Sequence, residues 1–522
     1  WYGERALEIE SLETEEGATF TPFGVVAVAP PRNFPVAIPA GGVLASLAAG
    51  NAVVFKPSLE TPRCAEIVAE ACWAAGVPTD VLQFVRTPDD QVGRHLVTAV
   101  DAVILTGSWE TANLFRSWRP DMRLLAETSG KNALIVTPKA DIDLAAADLV
   151  RSAFGHSGQK CSAASLGILV GDLADDPRFL DKVVDAAASL RLGWPTEPGV
   201  TMGPTIVTPT GKLADALTRL APGEAWLAEP RSLDDSGALW SPGIKTGVVA
   251  GSQFHQTEYF GPVLGLMRAA DLAEAVRLQN DVPYGLTGGI HSLDPDEVEY
   301  WLDRVEVGNA YVNRHITGAI VRRQPFGGWK RSSVGPGAKA GGPDYVLQLG
   351  TWDDASHPPI ATDSDAFWWR THYGVGHDPT GLFCEENTLR YLPRPQVVVR
   401  VGTQGSAHDA ARTLAAAHTA GVAPRVSAAA DHLLPGGGSS GMVENDETFA
   451  RGRAQLQFGR VRHVGRATPQ LRSAAAAAEV DVIDEPVVSS GRLEMRWYLH
   501  EQAISRTLHR FGNLIGGADQ RV

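Results

Sequence analysis

Residues 23–58 read FGVVAVAPPRNFPVAIPAGGVLASLAAGNAVVFKPS. The apolar run FGVVAVA ends at a Pro-Pro turn and predicts a strand. The segment around VAIPAGGVLASLAAG predicts a helix, and NAVVFKPS the next strand. Strand, crossover helix and strand in this order are the unit of a parallel sheet covered by helices. The alternation continues through a helix over 62–75, a strand VLQFV, a helix over 90–98, a strand DAVILTGS and a helix over 109–117. RLLAETSGKNALIV leads on, through a further helical stretch, to RSAFGHSGQKCSAAS at 151–165. The expected fold class is α/β: a doubly wound dinucleotide-binding lobe over 1–154 running into a second α/β lobe over 155–352. A polar, proline-containing stretch near 350–370 marks a boundary. Beyond it QVVVRVG, a helix over 407–420, APRVSAA and VDVIDEPV predict a smaller α/β domain over 353–522.

The chain has 522 residues, a formal net charge of −14, 44% hydrophobic and 20% charged residues. Such a balance fits globular domains with sizeable cores and argues against general affinity for nucleic acid or anionic membrane. No apolar run is long enough to cross a bilayer. Four cysteines (Cys64, Cys72, Cys161, Cys384) without metal-ligand or paired spacing point to a reducing compartment, hence a cytoplasmic location. The opening WYGERALEIES has neither an initiator methionine nor the order of a signal peptide, so the first lobe is expected to be N-terminally incomplete and the chain part of a longer polypeptide. LPGGGSSG at 434–441 reads as a flexible loop; it lacks the lysine and hydroxyl of a phosphate-binding loop.

Cys64 and Cys72 sit in the helical pattern RCAEIVAEACWAAG as small hydrophobes. Cys161 stands instead among small and polar residues beside Lys160, where positive charge favours a thiolate nucleophile. APPRNFP, VVFKPS, LTGS, ETSGKN, GQKCSA, EYFGPV and QPFGG follow in that order, and over roughly 20–350 the chain resembles the aldehyde dehydrogenase superfamily. The resemblance implies a Rossmann-like lobe for NAD, NADP not being excluded, and a catalytic lobe. It implies Cys161 as nucleophile, Asn33 as side-chain donor to the oxyanion beside the backbone N–H of Cys161, and Glu127 as general base for thioester hydrolysis. Oxidation of an aldehyde needs these three functions: a thiol adduct to release hydride, fixed donors for its oxyanion, and a base for the water. For the cofactor it implies Lys56 on the adenosine ribose, Ser108 on the pyrophosphate, Glu258 on the nicotinamide ribose, and Phe260 holding the nicotinamide side. The chain departs from the family at Leu59 (followed by Glu60), at Ser129 in place of a glycine, at Trp109, at Ala112 and at Pro31-Arg32.

GQKCSA and NRHITGAIVRRQPFGG resemble the L-glutamate γ-semialdehyde (Δ1-pyrroline-5-carboxylate) dehydrogenases. An amino-acid head must have its carboxylate paired. Lys160 and Ser162 offer a cation and a hydroxyl, Gly318 and Ala319 backbone amides for an anion nest, and Phe326 an apolar wall. FWWRTHYGVGHDPTGLFCEENTLRYLPRP and the ending EQAISRTLHRFGN resemble the C-terminal part of long bifunctional proline utilisation A proteins. That implies a C-terminal aldehyde-dehydrogenase-like domain without catalytic residues, an upstream proline dehydrogenase domain on the same polypeptide, and a homo-oligomer. The implied activity is NAD(P)-dependent oxidation of L-glutamate γ-semialdehyde to L-glutamate through a thiohemiacetal and a thioester. The alternatives are a dehydrogenase for another short carboxylated aldehyde and a non-catalytic scaffold or lid.

Overall fold

The computed structural model describes residues 1–88, 90–435, 441–452, 456–510 and 513–514; most of the glycine-serine stretch 434–441 therefore lies outside the described residues. The run FGVVAVA forms the strand Val25–Ala29, central in a six-stranded sheet. Its neighbours on one side are Ala52–Phe55 and Leu82–Phe84, and on the other Ala102–Thr106, Arg123–Glu127 and Ser333–Val334. All pairs are parallel except the last, which is antiparallel. Val26, Ala27, Val28 and Ala29 are all buried, as a two-faced parallel strand requires. The helix Ala37–Ala48 lies close on this strand: a Cβ on Gly42 would come within 2.9 Å of Val28 Cγ1.

A nine-stranded sheet forms the second lobe. Its order is Glu385–Pro393, Leu499–Thr507, Asn309–Val312, Thr287–His291, Asn132–Val136, Ala164–Val170, Val263–Ala269, Gly243–Thr246 and Ala225–Ala228. A third sheet of five parallel strands, all from residues 397–483, belongs to the C-terminal segment.

The topology moves the expected boundaries. The chain changes sheets between Glu127 and Asn132, not at 154, and the helix Ile142–Phe154 packs into the second lobe's core with Leu134 and Val136. Residues 333–354 return to the first lobe: Ser333–Val334 pairs with Ala126 and Glu127, Gly350–Asp354 pairs with Ala18–Pro22, and Tyr345, Val346 and Leu349 share a core with Val26 and Phe55. The stretch near 350–370, read as aperiodic, contains the helix Ala361–Trp368. The C-terminal segment is also not a separate body. Its strands Glu385–Pro393 and Leu499–Thr507 extend the second lobe's sheet, and Leu499–Thr507 covers the edge that Asn309–Val312 would otherwise expose.

Candidate active site

A cavity of about 890 Å³ opens at the carboxyl ends of the first lobe's central strands. Val28–Pro30, Ile104–Thr106 and Leu125–Thr128 line its floor, and Cys161, Ser162, Gly318, Ala319 and Phe326 come to it from the second lobe. The strands Val25–Ala29 and Ala102–Thr106 are neighbours in the sheet, but their crossovers run to opposite sides. This is the switch point where doubly wound sheets bind dinucleotides, so the scaffold fits such a cofactor.

Glu127 is the last residue of the strand Arg123–Glu127 and faces the cavity. The N–H of Gly328 donates to its Oε2 at 2.9 Å. Burial pushes its carboxyl up to about 8, against the pull of Lys339 and that N–H. Cys161 follows a tight turn in which His156 and Ser157 take left-handed backbone angles, φ 60° and 55°. Burial, then the nearby Glu258 and Glu127 carboxylates, push its thiol up to about 12, while the backbone N–H groups of Ser162 and Cys161 itself oppose them. Burial thus holds the thiol protonated, with the backbone N–H of Cys161 beside the sulfur.

Sequence reasoning quoted ETSGKN without seeing what its last residue does. Asn132 Nδ2 donates to the carbonyls of Cys161 at 2.7 Å and Ala163 at 3.0 Å, and its Oδ1 accepts from Thr287 N at 3.0 Å. It pins the Cys161 loop to the second sheet. Gly130 lets that loop approach: a Cβ there would lie 2.6 Å from the Cys161 carbonyl oxygen. Lys339 was also missed. It is buried, and its Nζ donates to the carbonyl of Gly327 and, at 3.3 Å, to Asn309 Oδ1. Burial pulls its pKa down. Its backbone N–H donates to Glu501 Oε2 at 2.9 Å, a carboxyl from the C-terminal strand Leu499–Thr507. Burial and the adjoining Asp344 carboxylate hold Glu501 well above the usual carboxylate range.

The other expected residues are placed unequally. Asn33 is buried in the turn after Val25–Ala29 but does not line the cavity; its carbonyl takes a hydrogen bond from the His156 ring, on which Phe34 stacks at 5.8 Å. Lys56 follows the strand Ala52–Phe55, buried, near the start of the helix Gln91–Ala99: a Cβ on Gly93 would come within 3.7 Å of its Cε. Ser108 caps the helix Trp109–Trp118, its Oγ accepting from Thr111 N at 3.1 Å. Glu258 and Phe260 lie with Lys160 around a second, small cavity behind the 129–131 loop, not around the main one. Gly130 N donates to Glu258 Oε1 at 2.9 Å, and Ser129, the residue standing where the family has glycine, also bonds that carboxylate. Burial raises the Glu258 pKa. Lys160 and Ser162 therefore flank Cys161 on different sides, and only Ser162 faces the main cavity. Burial and Arg151 lower the pKa of Lys160.

Gly318 is exposed with φ +88°, and a Cβ there would meet nothing within 4 Å. Tyr311 donates to its carbonyl at 3.1 Å. Phe326 pairs with Ala340 across an isolated bridge beside the cavity. Among the departures, Glu60 is held by Arg32 at 2.9 Å and by Ser58, while Leu59 is exposed. Trp109 and Ala112 are buried in the first lobe's core. Among the described residues no cluster suits a metal ion, and no helix is long and apolar enough to cross a membrane.

Comparison with known proteins matches residues 3–351 to the model of the aldehyde dehydrogenase family. The chain is 37% identical over 365 residues to a 1-pyrroline-5-carboxylate dehydrogenase of Geobacillus thermodenitrificans, covering 66% of this chain and 70% of the relative. To the proline utilization A structure from Corynebacterium freiburgense it is 48% identical with a TM-score of 0.88, over 98% of this chain but only 52% of that one. A Thermus 1-pyrroline-5-carboxylate dehydrogenase structure with bound NAD is 34% identical, with a TM-score of 0.61, over 67% of this chain and 71% of that one. The chain thus spans about half the length of the proline utilization A chain it matches. With a cavity-facing cysteine and glutamate at the switch point and a family match over 349 of its 522 residues, from 3 to 351, the chain belongs to the aldehyde dehydrogenase family.

Proposed function

We propose that this chain oxidises L-glutamate γ-semialdehyde to L-glutamate with NAD. The observation that carries this reading is the single cavity that brings Cys161 and Glu127 together with Ser162, the Gly318-Ala319 turn and Phe326. A thiol and a carboxylate alone serve any aldehyde. The exposed backbone amides of the turn add a place for a carboxylate, and Phe326 an apolar wall for a short aliphatic chain. The names of the relatives point the same way.

In this reading Cys161 gives up its proton to solvent and the thiolate attacks the aldehyde carbon. The backbone N–H of Cys161 stabilises the oxyanion of the thiohemiacetal, and the Asn33 amide joins it only once its side chain turns into the cavity. Lys56 and Ser108 would hold the dinucleotide of NAD and Glu258 and Phe260 its nicotinamide end; bound there, NAD would accept the hydride. The resulting thioester carbonyl is attacked by water, whose proton passes to Glu127; the carbon–sulfur bond breaks and glutamate leaves. Lys160 acts on the nucleophile's loop from behind, where its charge favours the thiolate. We place the C-terminal segment outside the chemistry proper, and infer an upstream proline dehydrogenase domain, a homo-oligomer and a cytoplasmic location.

The test is NADH formation by the 522-residue chain from L-glutamate γ-semialdehyde, with propanal and succinate semialdehyde as competing substrates. A preference for the γ-semialdehyde that vanishes in Cys161→Ala supports the reading. A folded, NAD-binding chain without turnover refutes it, and equal use of succinate semialdehyde refutes the substrate.

A further inference from the structure

The turn expected to receive the substrate carboxylate is held at both ends. At one end Tyr311 donates to the Gly318 carbonyl at 3.1 Å. At the other, Ile320 N donates to Gln324 Oε1 at 3.1 Å. Between them the N–H groups of Gly318 and Ala319 have no hydrogen-bond partner among the described residues.

Gln324 is 4% exposed, and its carboxamide is engaged on both sides. Its Nε2 donates to Asn387 Oδ1 at 2.8 Å, Ser505 Oγ at 3.1 Å and Glu385 Oε1 at 3.2 Å. These three acceptors fix which end of the amide is nitrogen, and so leave its oxygen for Ile320 N. All three lie on Glu385–Pro393 and Leu499–Thr507, beyond the span that matches the family. They are themselves locked: Ser505 Oγ donates to Asn387 Oδ1 at 2.8 Å and accepts from Arg314 Nη1 at 2.6 Å, and Arg314 pairs with Glu385 at 3.0 Å. Asn387 and Ser505 are each 1% exposed. A buried network in which Gln324, Asn387 and Ser505 bond one another favours one arrangement of the carboxamide.

We propose that Gln324 is a positioning residue for substrate selection: it couples Asn387 and Ser505 of the C-terminal strands to the Gly318-Ala319 turn and so sets affinity for the carboxylate end of the aldehyde. This rests on the proposed function, since it needs a carboxylate at that turn. It gives the C-terminal segment a role in recognition without placing any of its side chains in the cavity. An aldehyde lacking the carboxylate does not use the turn and is indifferent to its placement. A general loss of fold affects both kinds of substrate.

The experiment compares the 522-residue chain with its Gln324→Ala and Asn387→Ala variants, using γ-semialdehyde, propanal and NAD as varied substrates and a thermal melt of each protein. In both variants KM for the γ-semialdehyde is expected to rise about tenfold, the effect of losing one or two buried hydrogen bonds. The kcat/KM for propanal and KM for NAD are expected to stay within about twofold. Gln324→Ala disconnects the turn directly, whereas Asn387→Ala alters it only through the strands, so a rise in the first alone overturns the link to the C-terminal segment. A parallel loss on propanal, or no change with either variant, overturns the inference. An unaltered chain that prefers the γ-semialdehyde while the variants match it sinks only this inference; an unaltered chain without that preference sinks the proposed function as well.

Discussion

Replacing Glu127 with Gln separates what burying the base does to the fold from what the base does in the reaction. The folded carboxyl is pushed up to about 8 from an ordinary 4.5, chiefly by burial, with Lys339 and Gly328 N–H pulling the other way. An acid whose pKa is raised by folding binds its proton more tightly in the folded state. The stability it contributes is therefore fully present below 4.5 and is lost as pH rises toward 8. At pH 9 the whole interval counts against the fold, about 5 kcal/mol; at pH 6 only its lower part does, about 2 kcal/mol. Gln carries no such penalty, so Glu127→Gln is expected to stabilise by about 3 kcal/mol more at pH 9 than at pH 6. For 522 residues melting together at about 2.1 cal/mol/K per residue, that is a difference in Tm shift of about 3 °C. Scanning fluorimetry of both proteins at the two pH values reads it. The same variant is expected to accumulate the acyl-enzyme, because the hydrolytic water has lost its base. In the unaltered chain hydrolysis should rise about tenfold from pH 7 to pH 9, as the ionised fraction goes from about one tenth to nine tenths. A Tm shift independent of pH, or a variant less stable at pH 9, refutes the electrostatic account of Glu127.

Alkylation of Cys161 by iodoacetamide, followed by peptide mapping, should accelerate about tenfold per pH unit between 8 and 11, since its thiol is pushed up to about 12; a plateau near pH 8 contradicts this. Gly318→Val places a β-branched residue at φ +88°, a strain of about 1–3 kcal/mol that shifts the turn. KM for the γ-semialdehyde is expected to rise about tenfold, with propanal turnover retained; equal losses on both would count against the turn as a carboxylate site. Arg462 Nε and Nη2 each lie 2.9 Å from the Glu494 carboxylate, with both side chains fully buried. Arg462→Met is expected to cost about 3–5 kcal/mol by leaving that carboxylate without a counter-charge, only the Tyr498 hydroxyl still donating to it, read in a denaturant melt; a loss below about 1 kcal/mol would show that Glu494 takes up a proton.

The first lobe was legible because local and global signals agree there. The run at 25–29 is apolar at every position, so it could only be a strand covered on both sides, and the helices after it carry their own caps, such as Asp90 and Ser108. Cys161 and Glu127 were legible because their chemistry demands company that the motifs supply. The lobe boundary was not, since Glu127 and Asn132 stand five positions apart in one motif yet belong to different sheets, and nothing in the periodicity marks a change of sheet. Lys160 was expected on the substrate and instead lies behind the nucleophile, because sequence neighbours on a tight turn need not face the same way. Lys339, Glu501 and Gln324 were invisible for a different reason. Each acts through a partner brought by long-range pairing, and Gln324 had been quoted only as the first letter of QPFGG.

Among the described residues, no side chain of the C-terminal segment lines the main cavity. Its influence on the chemistry nonetheless follows from charge. Glu127, Lys339, Glu501, Asp344 and Arg492 form a buried series, with Arg492 paired to Asp344 and to Glu8, and Tyr391 donating to Asp344 at 3.0 Å. Glu501 and Asp344 share a hydrogen bond, and two adjacent buried carboxyls cannot both ionise, so Glu501 keeps the proton. Were Glu501 ionised, it would attract the Lys339 ammonium and draw it from Glu127. Held neutral, it leaves that charge to Glu127: without Lys339 the Glu127 carboxyl would lie still higher and be ionised in a smaller fraction of molecules at neutral pH. The strand Leu499–Thr507 thus has to supply a carboxyl that stays protonated, and it can do so because Asp344, on the returning part of the first lobe, takes the negative charge and Arg492 compensates it.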